Sequence, residues 1–571
     1  METMQSKETR DMNYVTPSGF RDVLVDEALL RERATRDVQQ LLASRGYAPI
    51  ETPTLEIMDV MRSGGRLPGT PFKFFDSRGD LLAMRPDVTL QVARMCATRL
   101  AGQPGPFRFR YTQRVFREAE GQMQAEARET TQLGVELIGE AGVAADAEVV
   151  ELLAESLEAV GVGDYRIAIA TVGVLQALLA ATSATAQWKD DVLAAYHASN
   201  FVDLDALTVE SVASASGASP VFANAIRELP RIRGGREAIS RVRDLVRPLG
   251  CEGGLVSLEG VLDALDAAGL ADRVLVDFSV MSSFDYYTGI IFKAYAPVLG
   301  TPLGGGGRYD STLGAYGESR PAAGFAFYLE NALASCCERN VVVREERPLR
   351  IAVPKGSLHA DAVACLEACG LDVTGLDNPG RQLIIRNPGV EYVIVRPSDA
   401  PAFVESGAAD CGICGEDSLL ETDPDIVELV DLKFGACRFI VAEPAGAAEA
   451  NAEHYRRLGS LRVATKYPRI TAAHFARRGT QVEIVKLHGN IELAPLTGMA
   501  ECIVDITATG TTLRENNLVI TDEVLSSTAR FFANVSAFRT DTRVAQLASK
   551  LQAGVDAGKW NTTVIAGGEG K

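Results

Sequence analysis

Residues 501–515 read Glu-Cys-Ile-Val-Asp-Ile-Thr-Ala-Thr-Gly-Thr-Thr-Leu-Arg-Glu. An apolar strand ends at Asp505–Ile506, a turn of threonine and glycine follows, and Thr511 onward opens a helix. Backbone N–H groups in such a turn converge on one point. The hydroxyls of Thr507, Thr509, Thr511 and Thr512 around Gly510 add donors, which is the chemistry of a cradle for a phosphate monoester. Asp505, at the carboxyl end of the strand, is placed to accept from sugar hydroxyls or to hold magnesium through water. A threonine-rich turn that only caps a helix has the same composition, and the loop alone leaves both readings open. No G-x-x-x-x-G-K-[ST] sequence occurs, which excludes a nucleoside triphosphatase of that kind.

Other reactive residue types carry less. Cys411 and Cys414 have redox spacing but lie in an apolar run that reads as a buried strand. Cys365 and Cys369 share a helical face and read as core. The five histidines show no ligand spacing, so no structural zinc is expected. The glycine run 304–307 reads as a tight turn. Glu148, Glu151, Glu155 and Glu158 fall at helical spacing and read as a solvated face.

The elements that must position these groups follow from length and pattern. A chain of 571 residues, 47% hydrophobic and 23% charged, is an ordinary globular composition and predicts at least three folding units. The formal charge of −18 disfavours wholesale nucleic-acid binding. Ten cysteines scattered over this length are too sparse for a disulfide scaffold. The polar first twenty residues contain no apolar signal core, which predicts a cytoplasmic location. The uncharged stretch 167–188 is long enough for a bilayer but too polar in its second half, and reads as core.

The charged run 344–348, ending in Pro348, reads as part of a linker at 341–348. It separates an N-terminal unit, 1–340, from a C-terminal unit, 349–571. The first unit mixes a helix over 26–44, strands at 166–170 and 274–278, and a helical insertion around 172–270. The second carries apolar runs at 349–353, 391–395, 410–414, 437–442, 482–487, 501–506 and 530–538. These alternate with helices at 357–370 and 470–478 and precede a last helix at 541–557, the pattern of α/β layers on a largely parallel sheet.

Residues 349–540 resemble the catalytic subunit of ATP phosphoribosyltransferase. The carriers are LRIAVPKGSL (349–358), GRQLIIR (380–386), VIVRPSDAP (393–401), ADCGICGEDSL (409–419), FGACRF (434–439), RVATKYP (462–468), LHGNIELAP (487–495) and DITATGTTLREN (505–516), in family order. The resemblance implies a two-lobed α/β fold like that of periplasmic binding proteins, with the active site in the cleft. It also implies the short form, since too few residues follow Thr540 for the long form's regulatory domain. It assigns Asp505, Thr507, Thr509, Gly510, Thr511 and Thr512 to the phosphoribosyl pyrophosphate site. It assigns Arg381 and Arg396 to contacts with ATP or pyrophosphate, a task that suits guanidinium groups. Lys355, Glu416, Asp417, Lys466 and Glu492 are further candidates for ATP, and magnesium is expected as the pyrophosphate counter-ion.

Residues 17–334 resemble histidyl-tRNA synthetase, a class II aminoacyl-tRNA synthetase with an α+β fold of helices on an antiparallel sheet. The carriers are PSGFRD (17–22), GYAPIETPTLE (46–56), AMRPDVT (83–89), FREAE (116–120), TQLGVELIG (131–139), FDYYTG (284–289), GGGGRYD (304–310) and GFAFYLEN (324–331). The resemblance maps a histidine pocket onto Asp87, Thr89, Gln132, Glu136, Tyr287 and Tyr309. The departures fall on activation. Ser282 and Asn331 stand where the synthetase has arginines, and Ala119 where it has a glutamate that reads adenine. Two missing cations leave a triphosphate uncompensated.

The combination is similar to the synthetase-like regulatory subunit of the short-form transferase, fused to its catalytic subunit. It implies a histidine-regulated ATP phosphoribosyltransferase that binds no tRNA and forms a homo-oligomer, a dimer or tetramer. Two other readings stay open: a bifunctional chain with a working synthetase, and a scaffold that senses histidine without catalysis.

Overall fold

The computed structural model describes residues 15–65, 69–118, 127–280, 287–297, 299–336, 347–507 and 510–560. Helix Val25–Ser44 presents Ala34, Val38 and Leu42, four residues apart, as its buried stripe, with Asp26 and Glu27 at the positive end of its dipole. It packs on helix Val143–Val160. Both lie against a nine-stranded sheet in the order Ala48–Pro49, Phe107–Phe116, Glu129–Ile138, Ala322–Tyr328, Gly304–Arg308, Ile290–Tyr295, Arg166–Thr171, Val274–Asp277, Arg233–Gly234. The first pair and the pair 166–171/274–277 are parallel; the other neighbours are antiparallel. Between Gly173 and Ala267 the regular elements are α-helices apart from the strand Arg233–Gly234 and two short 3-10 turns. The apolar stretch around 167–188 divides into a sheet strand and two helices, and among the described residues no helix is long and apolar enough to cross a membrane.

The acidic series on helix Val143–Val160 departs from expectation. Tyr47 donates to Glu148 at 2.8 Å, Tyr165 donates to Glu158 at 2.9 Å, and Arg45 pairs with Glu155. This face binds neighbouring elements and is not simply solvated. Tyr47 and Arg45, about a hundred residues away, and Tyr165, seven residues on, supply the difference.

The second half forms two sheets. The first has the order Ile384–Asn387, Val390–Val395, Leu349–Pro354, Cys411–Gly415, Ala529–Asn534, Ile426–Asp431. The second has the order Val482–Lys486, Leu461–Thr465, Cys502–Thr507, Cys437–Pro444, Leu518–Ser527. The sheets are mixed, correcting the expectation of a largely parallel arrangement. Parallel strands form one block in each (390–395/349–354/411–415 and 482–486/461–465/502–507), flanked by antiparallel ones. The reason is the path of the chain. It leaves the first lobe after Asp431, builds the second from Cys437 to Ser527, and re-enters the first at Ala529 running the other way. Cys411 and Cys414 are buried within their strand, and Cys365 and Cys369 within the first lobe's core. The apolar run 530–538 is a strand only to Asn534, whose side chain accepts from the Ser536 and Ala537 amides and starts helix Val535–Thr540.

The two halves interlock. Phe201, from the helical insertion, is buried in the core of the first lobe and meets Phe538 edge-on at 6.1 Å. Ser536 donates to the Ala296 carbonyl and Asn534 to the Gly300 carbonyl, both at 2.9 Å.

Candidate functional site

Two sites emerge. The first lies on the nine-stranded sheet, where residues two apart share a face. Gln132 and Glu136 point one way from strand Glu129–Ile138, Asp87 and Thr89 come from the turn that opens helix Thr89–Thr98, and Tyr309 follows strand Gly304–Arg308. Asp87, Thr89, Gln132, Tyr287 and Tyr309 line one cavity of about 220 Å³. Glu136 sits behind them, 1% exposed. It accepts from Thr89 at 2.8 Å, from Tyr111 at 3.4 Å, and from Tyr309.

Glycines keep the cavity open. A Cβ at Gly324 would come within 2.2 Å of Glu136 Oε2, and one at Gly307 within 2.7 Å of the Tyr287 ring. The glycine run 304–307 is therefore a strand of the sheet and forms the pocket floor, where a tight turn was expected.

The electrostatics of this pocket favour a cation. Burial raises the pKa of Asp87, and its buried Oδ2 has no hydrogen-bond partner, nor has Gln132 Oε1. Burial pushes the Glu136 carboxyl up to about 8 despite its three hydroxyl donors. Two buried carboxyl groups and an unsatisfied amide oxygen call for an ammonium or a ring N–H.

Beside this pocket lies a cavity of about 750 Å³ between the halves, which shares Arg117 and Tyr328 with it. The first half contributes Arg128 and Asn331, and the second contributes Glu405, Asp423, Asp425 and Arg469. The Asn331 amide donates to the Pro302 carbonyl at 2.9 Å. Ser282 and Ala119 lie outside the described residues.

The second site is the cleft between the lobes of the second half. Lys355, Arg396 and Glu416 each follow the carboxyl end of a strand in the parallel block of the first lobe. Ligands of α/β sheets bind at such ends. The Lys355 amide bonds the Val395 carbonyl at 2.8 Å, so Lys355 and Arg396 are neighbours. Arg381 lies in the turn closed by the Gln382 amide on the Pro379 carbonyl, just before strand Ile384–Asn387, which pairs with Val390–Val395. All three cations are exposed.

Glu416 instead pairs with Arg530 at 2.9 Å, and burial raises its pKa. Asp417, also raised by burial, accepts from the Ser527 hydroxyl at 3.0 Å. Burial raises the pKa of both Asp417 and Asp505, and Lys466 of the second lobe draws both down against it. Glu492 acts on Asp505 in the opposite sense. Glu421 of the first lobe accepts from the Arg469 and Ile470 amides, holding the start of helix Pro468–Arg477 across the cleft.

The hydroxyl-rich segment follows directly on strand Cys502–Thr507, which carries Asp505. Thr507, 8% exposed, accepts at Oγ1 from the Gly510 amide at 2.9 Å, and Gly510 has φ of +68°. Helix Thr511–Glu515 follows, with Thr512 exposed. Thr509 lies outside the described residues, as does the side chain of Thr511.

Sequence reading missed Arg530, which pairs with Glu416, Glu428 at 2.8 Å and Asp431 at 2.8 Å while only 6% exposed. A lone arginine in an apolar strand was its only signal. Lys293, which lines the first pocket, was missed for the same reason.

Comparison with known proteins divides the chain the same way. The family model for histidyl-tRNA synthetase matches residues 19–332, and that for ATP phosphoribosyltransferase matches residues 396–553. The second half is 52% identical over 193 residues to an ATP phosphoribosyltransferase of Rubrobacter xylanophilus, covering 34% of this chain and 89% of that protein. The first half is 36% identical over 323 residues to an ATP phosphoribosyltransferase regulatory subunit of Moorella thermoacetica, covering 56% of this chain and 80% of that protein. A crystal structure from Bacillus halodurans, described as an ATP phosphoribosyltransferase regulatory subunit/histidyl-tRNA synthetase, superimposes with a TM-score of 0.52 at 25% identity. It covers 68% of this chain and all of that one.

Proposed function

The chain belongs to the ATP phosphoribosyltransferase family through its C-terminal half and to the histidyl-tRNA synthetase family through its N-terminal half, and on that premise we propose that it makes phosphoribosyl-ATP under the control of histidine. The reaction opens histidine biosynthesis: N1 of the ATP adenine attacks C1 of phosphoribosyl pyrophosphate and pyrophosphate leaves.

The observation that carries the catalytic reading is the cleft. Lys355 and Arg396 stand together on one rim, with Arg381 in the turn that leads into the neighbouring strand Ile384–Asn387, and Lys466, Asp505, Thr507 and Gly510 belong to the other lobe. In this reading the 507–512 turn holds the 5′-phosphate through its amides and hydroxyls, and Asp505 accepts from the ribose hydroxyls. The three cations of the opposite lobe neutralise pyrophosphate as it departs and orient the triphosphate of ATP. Lys466 favours the ionised forms of Asp417 and Asp505 as positive charge grows on the ribose. Magnesium enters with the pyrophosphate as part of the substrate. Among the described residues no group of three acidic, histidine or cysteine side chains is placed to hold it alone.

The regulatory reading rests on one segment. Residues 290–304 supply Ile291, Phe292, Lys293, Pro302 and Gly304 to the first pocket. The carbonyls of Ala296 and Gly300 in the same segment are bonded by Ser536 and Asn534 of the second half. A ligand that differs in affinity between two positions of this segment shifts the transferase half with it. The synthetase reading is disfavoured by the neutral Asn331 and by Glu405, Asp423 and Asp425, which face the cavity where a triphosphate would lie. We place the protein in the cytoplasm as a homo-oligomer.

Purified chain supplied with ATP, phosphoribosyl pyrophosphate and magnesium is expected to form phosphoribosyl-ATP, and histidine to inhibit it. No product would refute the catalytic reading. Product formation indifferent to histidine would refute the regulatory one. Histidine-dependent exchange of pyrophosphate into ATP would restore the synthetase.

A further inference from the structure

The first pocket has acidic groups at one end, and the structure shows what stands at the other. The sheet register runs Gly134–Ala326–Gly305–Lys293 across four strands, and beside it Glu136–Gly324–Gly307–Ile291. Residues in each row share a face of the sheet, so Lys293 rises from the same floor as Glu136. Three strand spacings separate the two rows' ends, about 14 Å between backbones.

What lies between is almost bare. Gly305, Gly307 and Gly324 have no side chains and Ala326 has one carbon. A Cβ at Gly305 would come within 3.0 Å of Lys293 Cγ. The lysine stem therefore lies along the floor, over Gly305, and Lys293 lines the same cavity as Asp87 and Gln132.

A cavity with the Asp87 carboxyl at one end and an ammonium at the other, joined by a flat apolar floor, matches a zwitterion. Its cationic end belongs with Asp87, whose Oδ2 has no partner, and its carboxylate with Lys293. Burial lowers the pKa of Lys293, and Asp425 of the second half partly restores it while Arg539 opposes it. An incoming carboxylate would add to what Asp425 does. The pocket's other cation, Arg117, donates to the Pro86 carbonyl at 3.0 Å, lies over the Tyr328 ring and draws the pKa of Asp87 down, which sets it at the acidic end. Ser282, where the synthetase carries an arginine, supplies no charge.

We propose that Lys293 binds the α-carboxylate of the amino acid and so sets the pocket's specificity for a carboxylated imidazole ligand over its decarboxylated analogue. The proposal rests on the reading that this pocket takes histidine.

The test is calorimetric titration of the full chain with histidine and with histamine, which lacks the carboxylate. Wild type is expected to favour histidine. A hydrogen-bonded charge is worth about 10- to 100-fold in affinity, so Lys293→Met should weaken histidine by that factor and leave histamine within about twofold. Histamine binding thus reports that the pocket is folded. Lys293→Gln is the second variant should Lys293→Met fail to fold, and Lys293→Arg should restore most of the preference. Undiminished preference for histidine in Lys293→Met or Lys293→Gln overturns the proposal and leaves the histidine reading standing. Wild type that binds neither ligand overturns the histidine reading and the proposal with it.

Discussion

Replacing Glu136 by glutamine keeps the shape of the side chain and removes its charge. Burial holds the Glu136 carboxyl at about 8 against an ordinary 4.5, so the folded chain keeps a proton that the unfolded chain releases. Between those values the native state carries more protons, and its stability falls as pH rises. The contribution is fully present below 4.5 and is lost as pH climbs through 8. At 1.36 kcal/mol per unit, wild type loses about 4 kcal/mol between pH 5 and pH 9 from this group alone. The glutamine variant lacks that slope. Urea denaturation followed by Trp188 fluorescence, in a Trp560→Phe background, reads the half that contains Glu136. The variant's stability relative to wild type should rise by about 4 kcal/mol across the interval. Saturating histidine should flatten the wild-type curve, because a nearby ammonium favours the ionised carboxylate. Parallel curves for the two proteins would refute the argument that Glu136 is held protonated by burial.

Three further outcomes follow. Arg530→Met leaves Glu416, Glu428 and Asp431 without their shared cation. It should cost about 3–5 kcal/mol in urea denaturation, and a loss below about 1 kcal/mol would contradict it. Thr507→Val removes the bond from the Gly510 amide. A loss of about 1 kcal/mol should raise the KM for phosphoribosyl pyrophosphate about fivefold and that for ATP much less, and equal effects on both would place the turn elsewhere in the reaction. Asn534→Ala removes the grip on the Gly300 carbonyl and should weaken inhibition by histidine more than it weakens histidine binding, as compared by activity and calorimetry.

Much of this was legible along the chain because the signals are local. The strand that ends at Asp505 and the glycine at 510 stand next to each other, and so do the apolar runs that became strands. What stayed hidden depends on register and on chain re-entry. Strand Ala529–Asn534 runs against Cys411–Gly415 because the chain returns to the first lobe from the second, and no spacing within 529–534 records that. Lys293 meets the pocket only because Gly305 lies opposite it. Glu148 and Glu155 read as solvated because Tyr47 and Arg45, their partners, lie about a hundred residues away. Glu136 reads as a pocket residue, but only the packing of Thr89 and Tyr309 shows that it acts from behind them.

The return of the chain at Ala529 also orders assembly. Strand Ala529–Asn534 lies between Cys411–Gly415 and Ile426–Asp431, so the first lobe's sheet has an empty central slot until synthesis has passed residue 534. The second lobe, continuous from Cys437 to Ser527, can finish on the ribosome beforehand. Asn534, Ser536 and Arg539, which join the halves, are made with or just after that last strand. Nascent chains stalled short of it would carry a completed first half with nothing yet to join.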